Sequence, residues 1–292
     1  MIQEQAFHTG TVTLNYVEWP SAGPSLVLLH GGSARWQSFQ SIMPELAKYW
    51  HLYAPDLRGH GQSGWTPGCY RLQDYATDLI VFIEQSVGEP VNLFGHSLGG
   101  IVALLIAGQR PDLIRALAIG DSPLSAEAWQ THLEEGRDKL VAWRKLAGGQ
   151  YAMDALIEEL KNAPVEIPGQ TELAPMRVAY GEESPVFQWL ATNLHQNDPE
   201  IFTALLDSFA ETADGYDLAK LLSAIECPVL LLQADPAEAG LMTAAEIAQA
   251  RRWLPHIHHV QLTGVSHALH HTHPELVQKV LIDFFAQAQA TK

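Results

Sequence analysis

Gly95-His96-Ser97-Leu98-Gly99-Gly100 is the stretch on which the reading of this chain turns. It fits the pattern G-x-S-x-G, with the apolar run Val91-Asn92-Leu93-Phe94 before it and a helical pattern over 98–109 after it. Gly95 and Gly99 stand two residues either side of Ser97, where a sharp strand-to-helix turn leaves no room for a side chain. Such a turn lifts the serine hydroxyl to the C-terminal edge of a parallel sheet. The helix N-terminus beneath it presents N–H groups and a positive dipole end to a developing oxyanion. Ser97 is therefore expected to be a nucleophile.

Outward from this turn, short apolar runs alternate with longer helical patterns. Strands are expected at 11–18, 26–30, 52–54, 91–94, 116–119, 229–233 and 258–262. Leu26-Val27-Leu28-Leu29 and Val229-Leu230-Leu231-Leu232 are apolar without alternation, as strands covered on both faces are. Between strands, Tyr75, Leu79, Phe82, Ile83 and Val87 share one helical stripe, and a last helix is expected from Pro274 to about Ala288. The rhythm changes over 123–215, where no convincing strand appears. There, helical segments at 127–147, 153–161, 186–193 and 199–212 are separated by Gly/Pro breaks at 148–149 and 164–169. The fold class expected is α/β: a mostly parallel central sheet with helices on both faces, formed by 1–122 and 216–292, with 123–215 as a helical insertion.

The 292 residues are 47% hydrophobic, enough for a sizeable core, and carry 17 Lys+Arg against 33 Asp+Glu. A formal charge of −16 without basic clusters excludes nucleic-acid binding and disfavours an anionic membrane surface. The N-terminus has no basic or apolar signal segment, and no apolar run approaches the ~20 residues of a membrane span. Cys69 and Cys227 are too few for a disulfide framework. A soluble, cytoplasmic protein is expected, and a homo-oligomer is compatible with the sequence.

These motifs resemble the α/β-hydrolase superfamily over almost the whole chain. His30-Gly31-Gly32 after the strand at 26–29 looks like that family's oxyanion loop. Asp56-Leu57-Arg58-Gly59-His60-Gly61-Gln62-Ser63 is similar to its D-x-R-G-x-G-x-S loop, and Gly264-Val265-Ser266-His267 stands where its catalytic histidine is placed. The resemblance implies an α/β-hydrolase fold with 123–215 as a helical cap, Ser97 as nucleophile and His267 as general base. The chain order Ser, acid, His makes Asp235, just past the strand at 229–233, the leading acid. Asp121 after the preceding strand is the alternative, and Glu238 a third candidate. The oxyanion hole is expected from the N–H groups of Gly32 and Leu98.

Trp36, His96, Trp129 and Trp189 are candidate pocket residues. His30, Asp56 and Arg58 read as bracing groups, and the histidines at 267, 270, 271 and 273 as something other than a metal site. No metal or cofactor is expected. The function implied is cleavage of a small-molecule carboxylic ester or lactone through an acyl-enzyme. A carbon–carbon bond (diketone) hydrolase is the nearest alternative; a non-catalytic receptor and a cofactor-free oxygenase are remoter ones. Haloalkane dehalogenase and epoxide hydrolase chemistry is disfavoured, because relatives that perform it carry Asp where this chain has Ser97.

Overall fold

The computed structural model describes residues 3–165, 173–254 and 256–290. The strands in chain order are β1 (Gln3–His8), β2 (Thr13–Trp19), β3 (Ser25–Leu29), β4 (His51–Pro55), β5 (Val91–His96), β6 (Ile114–Gly120), β7 (Pro164–Val165), β8 (Ala174–Pro175), β9 (Val229–Ala234) and β10 (His258–Leu262). The central sheet has the order β1-β2-β4-β3-β5-β6-β9-β10. It is antiparallel at β1/β2 and β2/β4 and parallel from β4 onward. The two-residue strands β7 and β8 pair only with each other, inside the segment expected to be helical. Strand β1 went unread in the sequence for a physical reason: its residues are almost all exposed, so it lacks the apolar alternation that marks a half-buried strand.

Strand β5 lies in the middle, with Leu28 and Ala118 registered on either side of Phe94. A helix, Leu98–Gln109, follows at once and is buried on all sides from Leu98 to Ala107. It packs on β5 and β6 with one face and on the helices Leu72–Phe82 and Leu218–Ala224 with the other. Full burial explains a helix apolar all round rather than along one stripe. Separate apolar clusters cover the two sheet faces, one built on Leu29, Leu93 and Ile119, the other on Leu28, Phe94 and Leu232.

Between β6 and β9 the chain is mostly helical. The single helix expected over 127–147 is two, Ala126–Glu135 and Arg137–Leu146, broken at Gly136. The segment expected at 199–212 is likewise divided at Ser208 into Glu200–Asp207 and Phe209–Thr212. Of the Gly/Pro break at 164–169, positions 166–169 fall outside the described residues. The helix Ala244–Trp253 also escaped the sequence reading, although Thr243 and Glu246 form a capping box at its start. Contacts tie the helical segment to the sheet loops: Arg35 Nε donates to Asn193 Oδ1 at 2.9 Å and Asp198 N to Gly59 O at 2.8 Å.

A methyl group on Gly99 would overlap the carbonyls of Leu29 and His30, which are backbone and cannot move aside. Gly99→Ala is expected to lower the unfolding free energy in urea by about 3 kcal/mol or more. Gly136, at φ −90° with its nearest contact at 3.5 Å, accepts Ala without strain. Gly136→Ala is expected to raise stability by roughly 0.4–1 kcal/mol in the same assay.

Candidate active site

Ser97 sits between β5 and its helix at φ 53°, ψ −122°, a backbone region costly for any residue with a side chain. The turn is held from both directions: Ser97 N donates to Gly120 O at 3.0 Å, and Ser97 O accepts from Gly100 N and Ile101 N at 2.9 and 3.1 Å. Gly95 permits it, since a methyl group there would overlap the Gly99 carbonyl. Leu98 is the first helical residue, so its N–H is one that the helix itself does not pair. The loop after β3 lies directly against this turn: a Cβ on Gly31 would stand 3.1 Å from Ser97 Cβ, and one on Gly32 3.9 Å from Leu98 Cβ.

That loop is braced from below. The buried His30 donates from Nδ1 to Gly31 O at 2.8 Å and accepts at Nε2 from Leu57 N at 2.9 Å. Burial, only partly offset by the bond to Gly31, pulls the His30 pKa down to about 4, so the ring is neutral. The Asp56 carboxylate accepts from Trp36 N at 2.7 Å, Asn15 Nδ2 at 2.8 Å and Gln62 N at 3.0 Å, joining the oxyanion-type loop to the loop 56–63. Arg58, in a buried ion pair with Asp78 at 2.6 Å, anchors the same loop.

The largest correction to the sequence reading concerns the acid. His267 Nδ1 donates to Asp121 Oδ2 at 2.7 Å. Asp121 follows β6 at φ 38°, is fully buried, and accepts further from Ala234 N, Leu241 N and Met242 N at 3.1, 2.9 and 3.2 Å. Burial alone would raise its pKa. The His267 bond and charge together with the backbone N–H groups outweigh that, and the carboxyl lies below the usual range. Asp235, the acid favoured from the sequence, points elsewhere. Its Oδ1 caps the short turn Pro236–Glu238 through Ala237 N at 3.0 Å, and its Oδ2 accepts from Gly264 N at 2.7 Å. Both oxygens are thus committed to backbone, the second to the very loop that carries His267. Glu238 is exposed.

His96 is buried, and its Nε2 donates to the His267 carbonyl at 2.9 Å while the two ring centroids lie 4.7 Å apart. It braces the histidine loop rather than lining a pocket wall. Burial first, and then repulsion from His267, pulls its pKa to about 3. His270 is fully buried between Phe39 and His96, and His271 stands edge-on to Trp189 at 5.0 Å. Among the described residues no group of three or more His, Cys, Asp or Glu side chains could hold a metal ion. No helix among them is long and apolar enough to cross a membrane.

A cavity of about 30 Å³ adjoins the turn, lined by Gly32, Ser33, Leu98, His60, Trp129 and Phe202 among others. Trp129 is therefore at the wall, contributed by the helical segment. Trp36 is not: it packs in the cluster on the opposite sheet face, with Nε1 donating to Glu4 Oε1 at 2.8 Å. His60, Tyr70 and Tyr75 also stand at this wall; the sequence marks His60 only as part of the loop 56–63 and Tyr75 only as part of a helical stripe, and neither pattern points to a pocket. A larger concavity, about 360 Å³, opens at the first residues of β9 and β10, Val229 and His258, and holds none of the motif residues. That is the sheet edge opposite Ser97.

The sequence profile of the alpha/beta hydrolase family matches residues 26–279. The chain belongs to that family. It is 27% identical over 271 residues to "(E)-2-((N-methylformamido)methylene)succinate hydrolase" of Acinetobacter baylyi, covering 92% of each protein. It is equally 27% identical over 289 residues to a haloalkane dehalogenase of Bradyrhizobium diazoefficiens, covering 92% of this chain and 89% of that one. Among solved structures, that of E-2-(acetamidomethylene)succinate hydrolase superposes with a TM-score of 0.73 at 23% identity, covering 98% of this chain and 100% of the other. The shared fold is an eight-stranded, mostly parallel sheet with helices on both faces.

Two measurements check this geometry. The His267 Nδ1 proton, bonded to a carboxylate, is expected as a strongly deshielded proton NMR resonance. It should vanish in Asp121→Asn and persist in Asp235→Asn; the reverse pattern would refute the pairing. Stability also responds to the neutral histidines. His30 and His96 titrate in the fold at about 4 and about 3, against about 6.5 when unfolded. The unfolded chain therefore takes up protons first as pH falls, and stability held above about pH 6.5 is lost below it. At pH 5 each such histidine is expected to cost up to about 2 kcal/mol relative to pH 7.5. A urea series should show this loss, and it should be smaller in His30→Gln.

Proposed function

We propose that this protein hydrolyses carboxylic esters, lactones included, through an acyl-enzyme on Ser97. The observation that carries the reading is the 2.7 Å bond between His267 Nδ1 and a fully buried Asp121, beside a serine held at φ 53° at a helix N-terminus. The relatives named for dehalogenation belong to a chemistry that uses a carboxylate nucleophile, whereas the turn here carries a hydroxyl.

In this mechanism Asp121 fixes the Nδ1–H tautomer of His267, which leaves Nε2 as the base. His267 takes the Ser97 proton as Oγ attacks the ester carbonyl. The tetrahedral oxyanion is stabilised by the Leu98 N–H, at the positive end of its helix, and by the Gly32 N–H across the turn. The imidazolium is held beside a carboxylate that stays charged, and it returns the proton to the leaving alcohol. Water then repeats the sequence on the acyl-enzyme and frees Ser97. The segment 123–215 serves as the cap and supplies Trp129, Ile201 and Phe202 to the acyl side of the site.

Treatment with a fluorophosphonate should leave one adduct on the Ser97 peptide, absent in Ser97→Ala, and Ser97→Ala should lose ester turnover by several orders of magnitude. Asp121→Asn is expected to lower kcat by roughly 10⁴-fold, through the wrong imidazole tautomer. Asp235→Asn should lower it by less than tenfold, acting only through loop stability. No Ser97 adduct on a folded protein, or equal losses in the two Asn variants, would overturn the assignment.

A further inference from the structure

An ester whose carbonyl oxygen is held by the Gly32 and Leu98 N–H groups has its carbonyl carbon about 1.2 Å from that oxygen and its first chain carbon about 2.4 Å away. The acyl chain therefore begins where those two residues stand, and both are walls of the small cavity. Of the four bonds at the tetrahedral carbon, one goes to Ser97 Oγ, one to the oxyanion and one to the alcohol oxygen that His267 must protonate. The cavity wall does not include His267. Only the bond to the acyl chain is left to point into it. The cavity measures about 30 Å³, about the share of one molecule in liquid water, and a methyl group is of similar bulk.

The wall opposite the oxyanion side is packed. Ile201, Phe202 and Leu205 come from one face of the helix Glu200–Asp207, and Trp129 from the helix Ala126–Glu135. Trp129 and Phe202 are buried, each edge-on to a further ring, Phe209 at 5.1 Å and Trp143 at 6.4 Å. On the core side, Tyr70 OH donates to Asp198 Oδ2 at 2.5 Å, and Asp198 N donates to Gly59 O at 2.8 Å. The cap and the core thus close the cavity as one piece, and a longer chain would have to displace buried side chains. The hydroxyls of this wall are already engaged, Tyr70 as stated and Thr212 with Ala204 O at 2.9 Å. The alcohol side differs: Ser97 is half-buried and the His267 side chain is 31% exposed.

We infer that the cavity is an acyl subsite for one acetyl group, so that the enzyme selects acetic esters over propionic and longer ones while accepting alcohols of varied size. Phe202 and Leu205 set the limit. The inference rests on the acyl-enzyme reading and narrows it to one class of ester.

The test measures kcat/KM for p-nitrophenyl acetate, propionate, butyrate and hexanoate, for phenyl and 2-naphthyl acetate, and for δ-valerolactone, each divided by its rate with hydroxide. One methylene in an apolar pocket is worth about 10–200-fold. Acetate is expected to exceed propionate by roughly tenfold or more and butyrate by a hundredfold or more. Phenyl and 2-naphthyl acetate should stay within about tenfold of each other, less than one methylene costs on the acyl side. Phe202→Ala should lower the acetate-to-butyrate ratio by roughly tenfold or more. Leu205→Ala, at a half-buried position where truncation disturbs packing less, should lower it in the same direction and decides the matter if Phe202→Ala does not fold. Because the readout is a ratio within each protein, a general loss of activity in a variant does not affect it. Butyrate or δ-valerolactone turned over as well as acetate would overturn the inference and leave the hydrolase reading intact. So would a ratio unchanged in the folded variants, or a loss from phenyl to 2-naphthyl as steep as that from acetate to butyrate. If no ester is cleaved and Ser97 takes no fluorophosphonate, the hydrolase reading fails and the inference falls with it.

Discussion

The backbone at Ser97 is the constraint on which the rest of the site depends. At φ 53° and ψ −122° it costs on the order of 1–3 kcal/mol, and it survives because its surroundings leave it no alternative. Gly95 and Gly99 allow carbonyl oxygens to approach where a Cβ would collide, β3 and β6 hold β5 from both sides, and the helix after it is buried all round. Strain of this kind has a use. It sets the hydroxyl beside the first N–H of a rigid helix, so that the proposed nucleophile and the proposed oxyanion donor share one turn of chain.

A second device supports the first from the opposite side. Asp121 also has a positive φ, 38°, and its carboxylate gathers three backbone N–H groups from the segment 234–242 before it meets His267. The charge is thereby solvated by the fold rather than by water, and remains a charge while fully buried. Asp235 complements it from outside, clamping Gly264 at the root of the histidine loop. Two aspartates after neighbouring strands thus divide the work: one grips the imidazole, the other the backbone that carries it.

The buried histidines act as neutral spacers with directed lone pairs and protons. His30 joins the oxyanion-type loop to Leu57, His96 ties the nucleophile turn to the His267 carbonyl, and His60 joins the loop 56–63 to the cavity. In the first two every ring nitrogen named has a protein partner. In the third one nitrogen does not, as in the fully buried His270, whose ring nitrogens have no partner among the described residues.

Much was legible along the chain. Gly95-x-Ser97-x-Gly99 announces the turn because only glycine fits its flanks, and the runs at 26–29 and 229–232 announce buried parallel strands because both of their faces are apolar. Such signals are local, and sequence carries local constraints well. Strand β1 left no such mark, since an exposed edge strand needs no apolar pattern. The acid was not legible either. Asp121 and Asp235 both follow parallel strands, and which of them reaches His267 depends on how the loop 263–267 crosses the sheet edge, which residues distant along the chain decide. The same holds for His60, which meets the Gly32–Leu98 cavity only because three separate loops converge at the C-terminal ends of the strands. Backbone conformation and burial faces were written in the sequence; the pairing of charges across the site was decided by tertiary structure, because a hydrogen bond of 2.7 Å selects between candidates only when both partners are already in place.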